Sequence, residues 1–120
     1  IPIKDISKFI SSAIKISKEV IPGSRCVVFG HIGDGNIHFN ISQPVKADKN
    51  KFLKKERALR KEIINLTLDL KGSISAEHGI GITRKADLKK YMKKDVEVFK
   101  SIKKSFDPKN IMNPGKVIDI

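Results

Sequence analysis

A chain of 120 residues, 39% hydrophobic and 32% charged, has the length and composition of one domain with one modest core. Its single cysteine excludes an internal disulfide and suits the cytosol. No run approaches the roughly 20 apolar residues of a membrane-spanning helix, and no basic-then-apolar leader opens the chain. The formal charge of +12 sits in two stretches: residues 46–61 hold eight basic and two acidic side chains, residues 84–104 nine and three. Both have helical periodicity, so the charge reads as solvated helix faces. A nucleic-acid surface would add exposed aromatics, Gly-rich loops or a reading helix, so no nucleic-acid partner is expected.

In chain order, Ile1-Pro2 is extended because of the proline, and Asp5 or Ser7 is placed to cap a first helix. Its apolar stripe is Ile6, Phe9, Ile10, Ala13, Ile14 and Val20, and Pro22-Gly23 stops it. Residues 25–31 then form a strand. Asp34-Gly35 predicts a two-residue type I′ hairpin turn, which needs positive φ at both central positions. Residues 36–42 alternate, with Ile37, Phe39 and Ile41 on one face and Asn36, His38 and Asn40 on the other. With a two-residue turn, His31 faces His38, Val28 faces Ile41, Gly30 faces Phe39 and Ile32 faces Ile37. Cys26 falls on the apolar face, where a buried thiol is expected.

A polar loop leads into a long basic helix over residues 48–70, with Phe52, Leu59, Ile63, Leu66 and Leu70 inward. Gly72 is expected to end it in the left-handed position. Residues 73–77 alternate like a short strand, and Gly79 and Gly81 let the backbone turn tightly after Glu77 and His78. Thr83 is expected to cap a short basic helix, followed by a longer one with Val96, Phe99, Ile102 and Phe106 inward and Asp107-Pro108 at its end. The tail from Asn110 to Val117 is loop. The fold class is α+β: a small antiparallel sheet built on the hairpin, joined by the strand at 73–77, with helices on one face.

All three histidines lie in the two glycine-rich stretches. Two imidazoles opposed across a hairpin can share a divalent ion, zinc or manganese, and Glu77 would complete a His₂-carboxylate set with open positions. The alternative is that His31 and His38 are hydrogen-bonded to backbone and Glu77 is an ordinary surface acid. His78 reads either as a general base or as a structural histidine. Imidazole is the side chain whose unperturbed pKa lies nearest neutrality.

Three motifs then stand together. Gly30-His31-Ile32-Gly33-Asp34-Gly35-Asn36-Ile37-His38, Gly72-Ser73-Ile74-Ser75-Ala76-Glu77-His78-Gly79-Ile80-Gly81 and Phe106-Asp107-Pro108-Lys109-Asn110-Ile111-Met112-Asn113-Pro114-Gly115-Lys116 closely resemble, in order and spacing, the C-terminal part of FAD-linked oxidases. These are the relatives of D-lactate dehydrogenase, the glycolate oxidase subunit and D-2-hydroxyglutarate dehydrogenase, and the resemblance covers essentially the whole chain. It implies a flavoenzyme oxidising a D-2-hydroxy acid to the 2-oxo acid, with this chain as part of a ferredoxin-like cap domain and its last helices toward the flavin. By the same resemblance His31, His38 and Glu77 hold a divalent ion, His78 removes the hydroxyl proton, Asn40 lies near the substrate and Asn113 near the flavin ring.

The FAD-binding domain that relatives carry is not among residues 1–120, so half an active site is expected, with the other half in the same or another chain. The first residue is Ile rather than Met, which fits a processed or excised piece of something longer. The chain alone is expected to be inactive, its metal weakly held and its hairpin face prone to self-association. The complete enzyme is expected in the cytoplasm or peripheral to the inner membrane. A non-enzymatic remnant or interaction module is one alternative and a basic nucleic-acid-binding domain another.

Overall fold

Helix α1 (Ile6–Val20) forms because its apolar residues recur every three or four positions, and Ile6, Phe9, Ala13 and Ser17 are its buried line. Ser17 is fully buried without penalty, since its hydroxyl donates to the Ala13 carbonyl at 2.7 Å. The computed structural model describes residues 1–120 as two compact units, residues 1–76 and 77–120. Across them run four α-helices and a two-stranded antiparallel sheet, an α+β fold. No helix is long and apolar enough to cross a membrane.

In the first unit α1 is followed by strands β1 (Arg25–His31) and β2 (Asn36–Ser42) and by helix α2 (Lys49–Asp69). Helix α1 packs on both α2 and β1. The Phe9 ring meets Phe39 of β2 edge-on, 6.2 Å between centroids. Ile6, Phe9, Ala13, Ile21, Leu59 and Ile64 are the buried apolar residues of this unit. One sheet face therefore carries Cys26, Val28, Gly30, Ile37, Phe39 and Ile41, as the alternation predicts, although the Cys26 thiol is half-buried rather than enclosed.

The register differs from the expected one. The strands are joined by four residues: a tight 3₁₀ turn over Ile32–Asp34 and Gly35 in the left-handed region at φ 71°. His31 pairs with Asn36, Phe29 with His38, Val28 with Phe39 and Cys26 with Ile41. Ile32 lies in the turn and is exposed instead of pairing with Ile37. The physical reason is that only Gly35 needs positive φ here, so the loop closes as a tight turn from the Ile32 carbonyl to the Gly35 N–H, 3.2 Å. The slip is two residues, an even number, so every side chain keeps its face.

Two further expectations at the end of this unit are corrected. Asp48 caps α2, its carboxylate accepting the Lys51 N–H at 2.8 Å, but the left-handed residue after the helix is Lys71 at φ 58°, not Gly72. The Lys71 N–H donates to the Leu68 carbonyl at 2.9 Å and the Gly72 N–H to the Thr67 carbonyl at 2.8 Å, the paired closure of a Schellman motif. Glycine is needed at 72 for space: a Cβ there would lie 3.0 Å from the Thr67 carbonyl oxygen and 2.7 Å from the Ile1 side chain. Residues 73–77 add no strand to the sheet. Ser73 instead engages its hydroxyl locally, donating to the Ser75 carbonyl at 2.9 Å and accepting the Ser75 N–H at 3.3 Å, which competes with ladder formation.

In the second unit helices α3 (Lys85–Tyr91) and α4 (Lys93–Phe106) pack through Leu88 and Val96, joined by Ile118 from the tail and flanked by Ile80, Met92 and Val117. Arg84 holds the cap position of α3 without a side-chain bond, so Thr83 is not the cap. Helix α4 ends at Phe106, before Asp107-Pro108, as predicted. Of its expected inward residues only Val96 is buried; Phe99, Ile102 and Phe106 are exposed. The reason is the size of the unit: its buried cluster of Leu88, Val96 and Ile118 takes only Val96 from α4 and leaves the other apolar residues of that helix uncovered.

Candidate functional site

The second face of the hairpin carries Arg25, Val27, Phe29 and His31 from β1 against Ser42, Asn40, His38 and Asn36 from β2. His31 and His38 thus share a face, as the alternation requires, but lie diagonally rather than opposite each other. A diagonal pair of this kind has Cα atoms roughly 7–8 Å apart, within joint reach of two imidazoles. Asn36, opposite His31, is buried. Asn40, two residues beyond His38, faces Val27.

Gly30 explains how the strands come so close beside His31. Its φ is +149°, and a Cβ there would lie 2.2 Å from the Asn36 carbonyl oxygen, a backbone atom that cannot swing aside. Glycine at this position brings His31 and Asn36 together.

Phe29, which sequence reasoning passed over, faces His38 directly, and its ring lies parallel to the imidazole with 4.9 Å between centroids and 3° between planes. The signal was present in the alternation, since residues 29 and 31 must share a face. The two-residue turn hid it by assigning His31, not Phe29, as the partner of His38.

In the second unit Glu77 and His78 meet, with 3.5 Å between Oε2 and Nε2, an ion pair only when the imidazole is protonated. The His78 side chain is 87% exposed, so this contact contributes little to stability and leaves the ring open to the surroundings. Gly79 and Gly81 follow at φ 70° and 55°, so the chain turns sharply after the pair. Within neither unit do three His, Cys, Asp or Glu side chains gather as a metal-holding group.

Asn113 is exposed on the tail, in the left-handed region at φ 46°, its carbonyl accepting the Lys116 N–H at 3.3 Å. The segment leading to it is fixed from below. The buried Asp107 carboxylate accepts the N–H groups of Ile111 and Met112, each at 2.9 Å, and the Lys103 ammonium, which also donates to the Met112 carbonyl. The Lys103 bond, helped by the two amides, holds the Asp107 carboxyl below its ordinary pKa against the opposing effect of burial. Sequence reasoning read Asp107 only as a helix stop. An Asp-Pro at a helix end with bare amides four and five residues on is the pattern that would have found it.

The sequence model of the family described as FAD linked oxidases, C-terminal domain, matches residues 1–117, and the chain belongs to that family of FAD-linked oxidoreductases. Particular relatives narrow the class. A D-2-hydroxyglutarate dehydrogenase of Stutzerimonas stutzeri (strain A1501) is 40% identical over 114 residues, 93% of this chain and 24% of the relative. A D-lactate dehydrogenase of Archaeoglobus fulgidus is 38% identical over 96 residues, 80% of this chain and 20% of the relative. The glycolate oxidase subunit GlcD of Bacillus subtilis (strain 168) is 38% identical over 90 residues, 74% and 19% respectively. The chain therefore spans less than a quarter of the length of each of these relatives.

Proposed function

We propose that the chain supplies the substrate-facing C-terminal portion of an FAD-dependent dehydrogenase that oxidises a D-2-hydroxy acid to the 2-oxo acid. The observation that carries this reading is what the relatives have in common: hydroxyglutarate, lactate and glycolate are all 2-hydroxy acids. Oxidation at C2 removes a proton from the hydroxyl and a hydride from the carbon. In this reading His78 takes the proton, for which an exposed imidazole beside a carboxylate is suited, and Asn40 hydrogen-bonds the substrate from the hairpin face. Asn113 faces the flavin, presented by the segment that Asp107 fixes.

The flavin supplies the hydride acceptor when bound. A two-stranded antiparallel sheet offers no parallel βαβ crevice for a dinucleotide, so FAD is assigned to a separate domain, in the same or another chain. The imidazole pair on the hairpin has the donor chemistry for a borderline-soft divalent ion such as zinc or manganese, and His31 and His38 are the residues of the first unit assigned to hold it. The chemistry that such an ion would supply when held there is Lewis-acid polarisation of a substrate hydroxyl.

The test is dye-coupled oxidation of D-2-hydroxyglutarate, D-lactate and glycolate by the chain alone and mixed with the FAD-loaded N-terminal portion of the Stutzerimonas relative. Turnover is expected only in the mixture, and His78→Asn is expected to lower it by roughly 10²–10⁴-fold. Turnover by the chain alone would remove the assignment of FAD to another domain, and a His78→Asn mixture as fast as the parent would remove the assignment of the base.

A further inference from the structure

We infer that the outward stripe of α4, made by Val98, Phe99, Ile102 and Phe106 with Ile111 and Met112 beside its end, is the docking surface for the FAD-binding portion of the enzyme. This deepens the reading of the chain as one part of a two-part dehydrogenase and rests on it. The starting point is that α4 is apolar over more of its circumference than its own unit covers. At helical pitch Val98, Ile102, Phe106 and Phe99 fall within an arc of about 100°, the width of a stripe that ordinarily faces a core. Val96, the α4 residue that the unit does bury, lies outside that arc, and Phe106 is 84% exposed.

Apart from Asp95 in the first turn, no charged side chain of α4 falls within the arc, and its five lysines all lie outside it. A helix face that only had to meet water would carry some of them. The patch does not stop where the helix stops. The Asp107 carboxylate holds the Ile111 and Met112 N–H groups, each at 2.9 Å, so two more exposed apolar residues are fixed next to the last turn. Apolar surface of this kind with a charged rim marks an interaction site.

Three occupants have the chemistry for it. A second copy would set one lysine-rich rim against another, since residues 84–104 hold nine basic and three acidic side chains, and like charges across an interface oppose pairing. A bilayer takes one continuous helix face, whereas Ile111 and Met112 sit on a loop held in one shape by a buried carboxylate. A folded partner fits on both counts, because it can match a fixed relief and place acidic side chains opposite the rim. This chain matches 24% of the Stutzerimonas relative, which leaves most of such an enzyme to supply that partner. The patch also ends one residue before Asn113, the residue assigned to the flavin, so the partner that suits it is the one that carries the flavin.

The experiment is sedimentation velocity of the 120-residue chain, alone and mixed with the FAD-loaded N-terminal portion of the Stutzerimonas relative. The mixture is followed at the visible absorbance of the flavin, whose retention reports that the partner is folded. The variants are Ile102→Gln, Phe106→Gln and, as a control, Val45→Gln, an exposed apolar residue of the first unit. All three positions are exposed and glutamine is a good helix former, so the urea midpoints are expected to match the parent. From the worth of burying one large apolar side chain, each α4 variant is expected to bind at least about 10-fold more weakly than the parent, and Val45→Gln within about 2-fold of it. The intact relative, whose own C-terminal portion fills the site, is not expected to bind.

Association equal in the parent and in both α4 variants, or equal with the intact relative, overturns the docking surface. No association by the parent overturns it as well. Self-association of the chain, or co-sedimentation with phosphatidylglycerol vesicles, that is lost in Phe106→Gln then identifies a second copy or a membrane as the occupant. The reading of the activity fails separately. Association that depends on Ile102 and Phe106, without oxidation of D-2-hydroxyglutarate, D-lactate or glycolate, upholds the surface and removes the activity. Oxidation in the mixture that Phe106→Gln leaves unchanged at limiting chain concentration upholds the activity and overturns the surface.

Discussion

Replacing Gly30 by alanine separates two ways in which this hairpin depends on glycine. The added Cβ would stand 2.2 Å from the Asn36 carbonyl oxygen, and φ is +149°, where an L side chain is strained whatever the space. Backbone strain of that kind costs about 1–3 kcal/mol, and forcing a methyl group against fixed backbone about 1–3 kcal/mol more, so a loss of roughly 2–6 kcal/mol is expected. Against a stability of about 5–15 kcal/mol for a small domain that is a large fraction. With a urea dependence of about 1–3 kcal/mol per molar, the midpoint followed by circular dichroism at 222 nm should fall by about 1–3 M. Two controls give the scale. At Gly33, three residues on, a Cβ would meet nothing within 4 Å and φ is not positive, so Gly33→Ala should stay within about 0.5 kcal/mol of the parent. Gly79 has φ +70° but an open surround, so Gly79→Ala should lose only the left-handed penalty of about 1–2 kcal/mol. Equal midpoints for the Gly30 and Gly33 variants, or a smaller loss at Gly30 than at Gly79, would refute the reasoning.

Leu88 is 2% exposed at the centre of the second unit, and Leu88→Ala is expected to cost about 2–5 kcal/mol, read from urea unfolding by the emission of Tyr91, the single tyrosine in a chain without tryptophan. No change in that transition would show that the Leu88, Val96 and Ile118 cluster does not hold the unit. Asp107 has its folded pKa depressed, chiefly by the Lys103 bond, so its stabilisation is present above the ordinary carboxylate value and lost as pH falls through the lower folded value. The stability difference between the parent and Asp107→Asn should therefore be constant from neutrality down to about pH 4 and shrink below it. A difference independent of pH over that range would show that the Asp107 charge is not what holds the segment.

The order of elements was legible because each carries its own local signal: helical recurrence in α1, α2 and α4, strict alternation in β2, Pro22-Gly23 and Asp107-Pro108 as stops. Which face of the hairpin bears His31 and His38 was legible for the same reason, since alternation fixes faces independently of the turn. Their exact pairing was not, because Asp34-Gly35 satisfies the sequence preference of a two-residue turn while the chain uses it to close a four-residue one. The segment at 73–77 shows the opposite failure, where an alternating pattern was overridden by a serine bonding its own backbone. Amphipathicity in α4 identified the apolar stripe, but periodicity does not say whether anything covers it, and Phe106 is 84% exposed. Asp107 was read only as a helix stop because its partners are backbone amides, which no residue type marks and only the Asp-Pro at a helix end points to.

The Asp107 staple has a kinetic consequence. Ile111 and Met112 belong to no helix or strand, and amides in such a segment ordinarily exchange with solvent hydrogen within the fastest class. Here both amides are tied to a carboxylate at the end of α4, and the Lys103 ammonium that neutralises it comes from the last turn of the same helix. Either amide is released only when its bond to the Asp107 carboxylate breaks, and the Lys103 ammonium holds that carboxylate in place. The two amides ahead of Asn113 are therefore expected to exchange more slowly than those of an untied loop, with a protection set by one carboxylate at the end of α4.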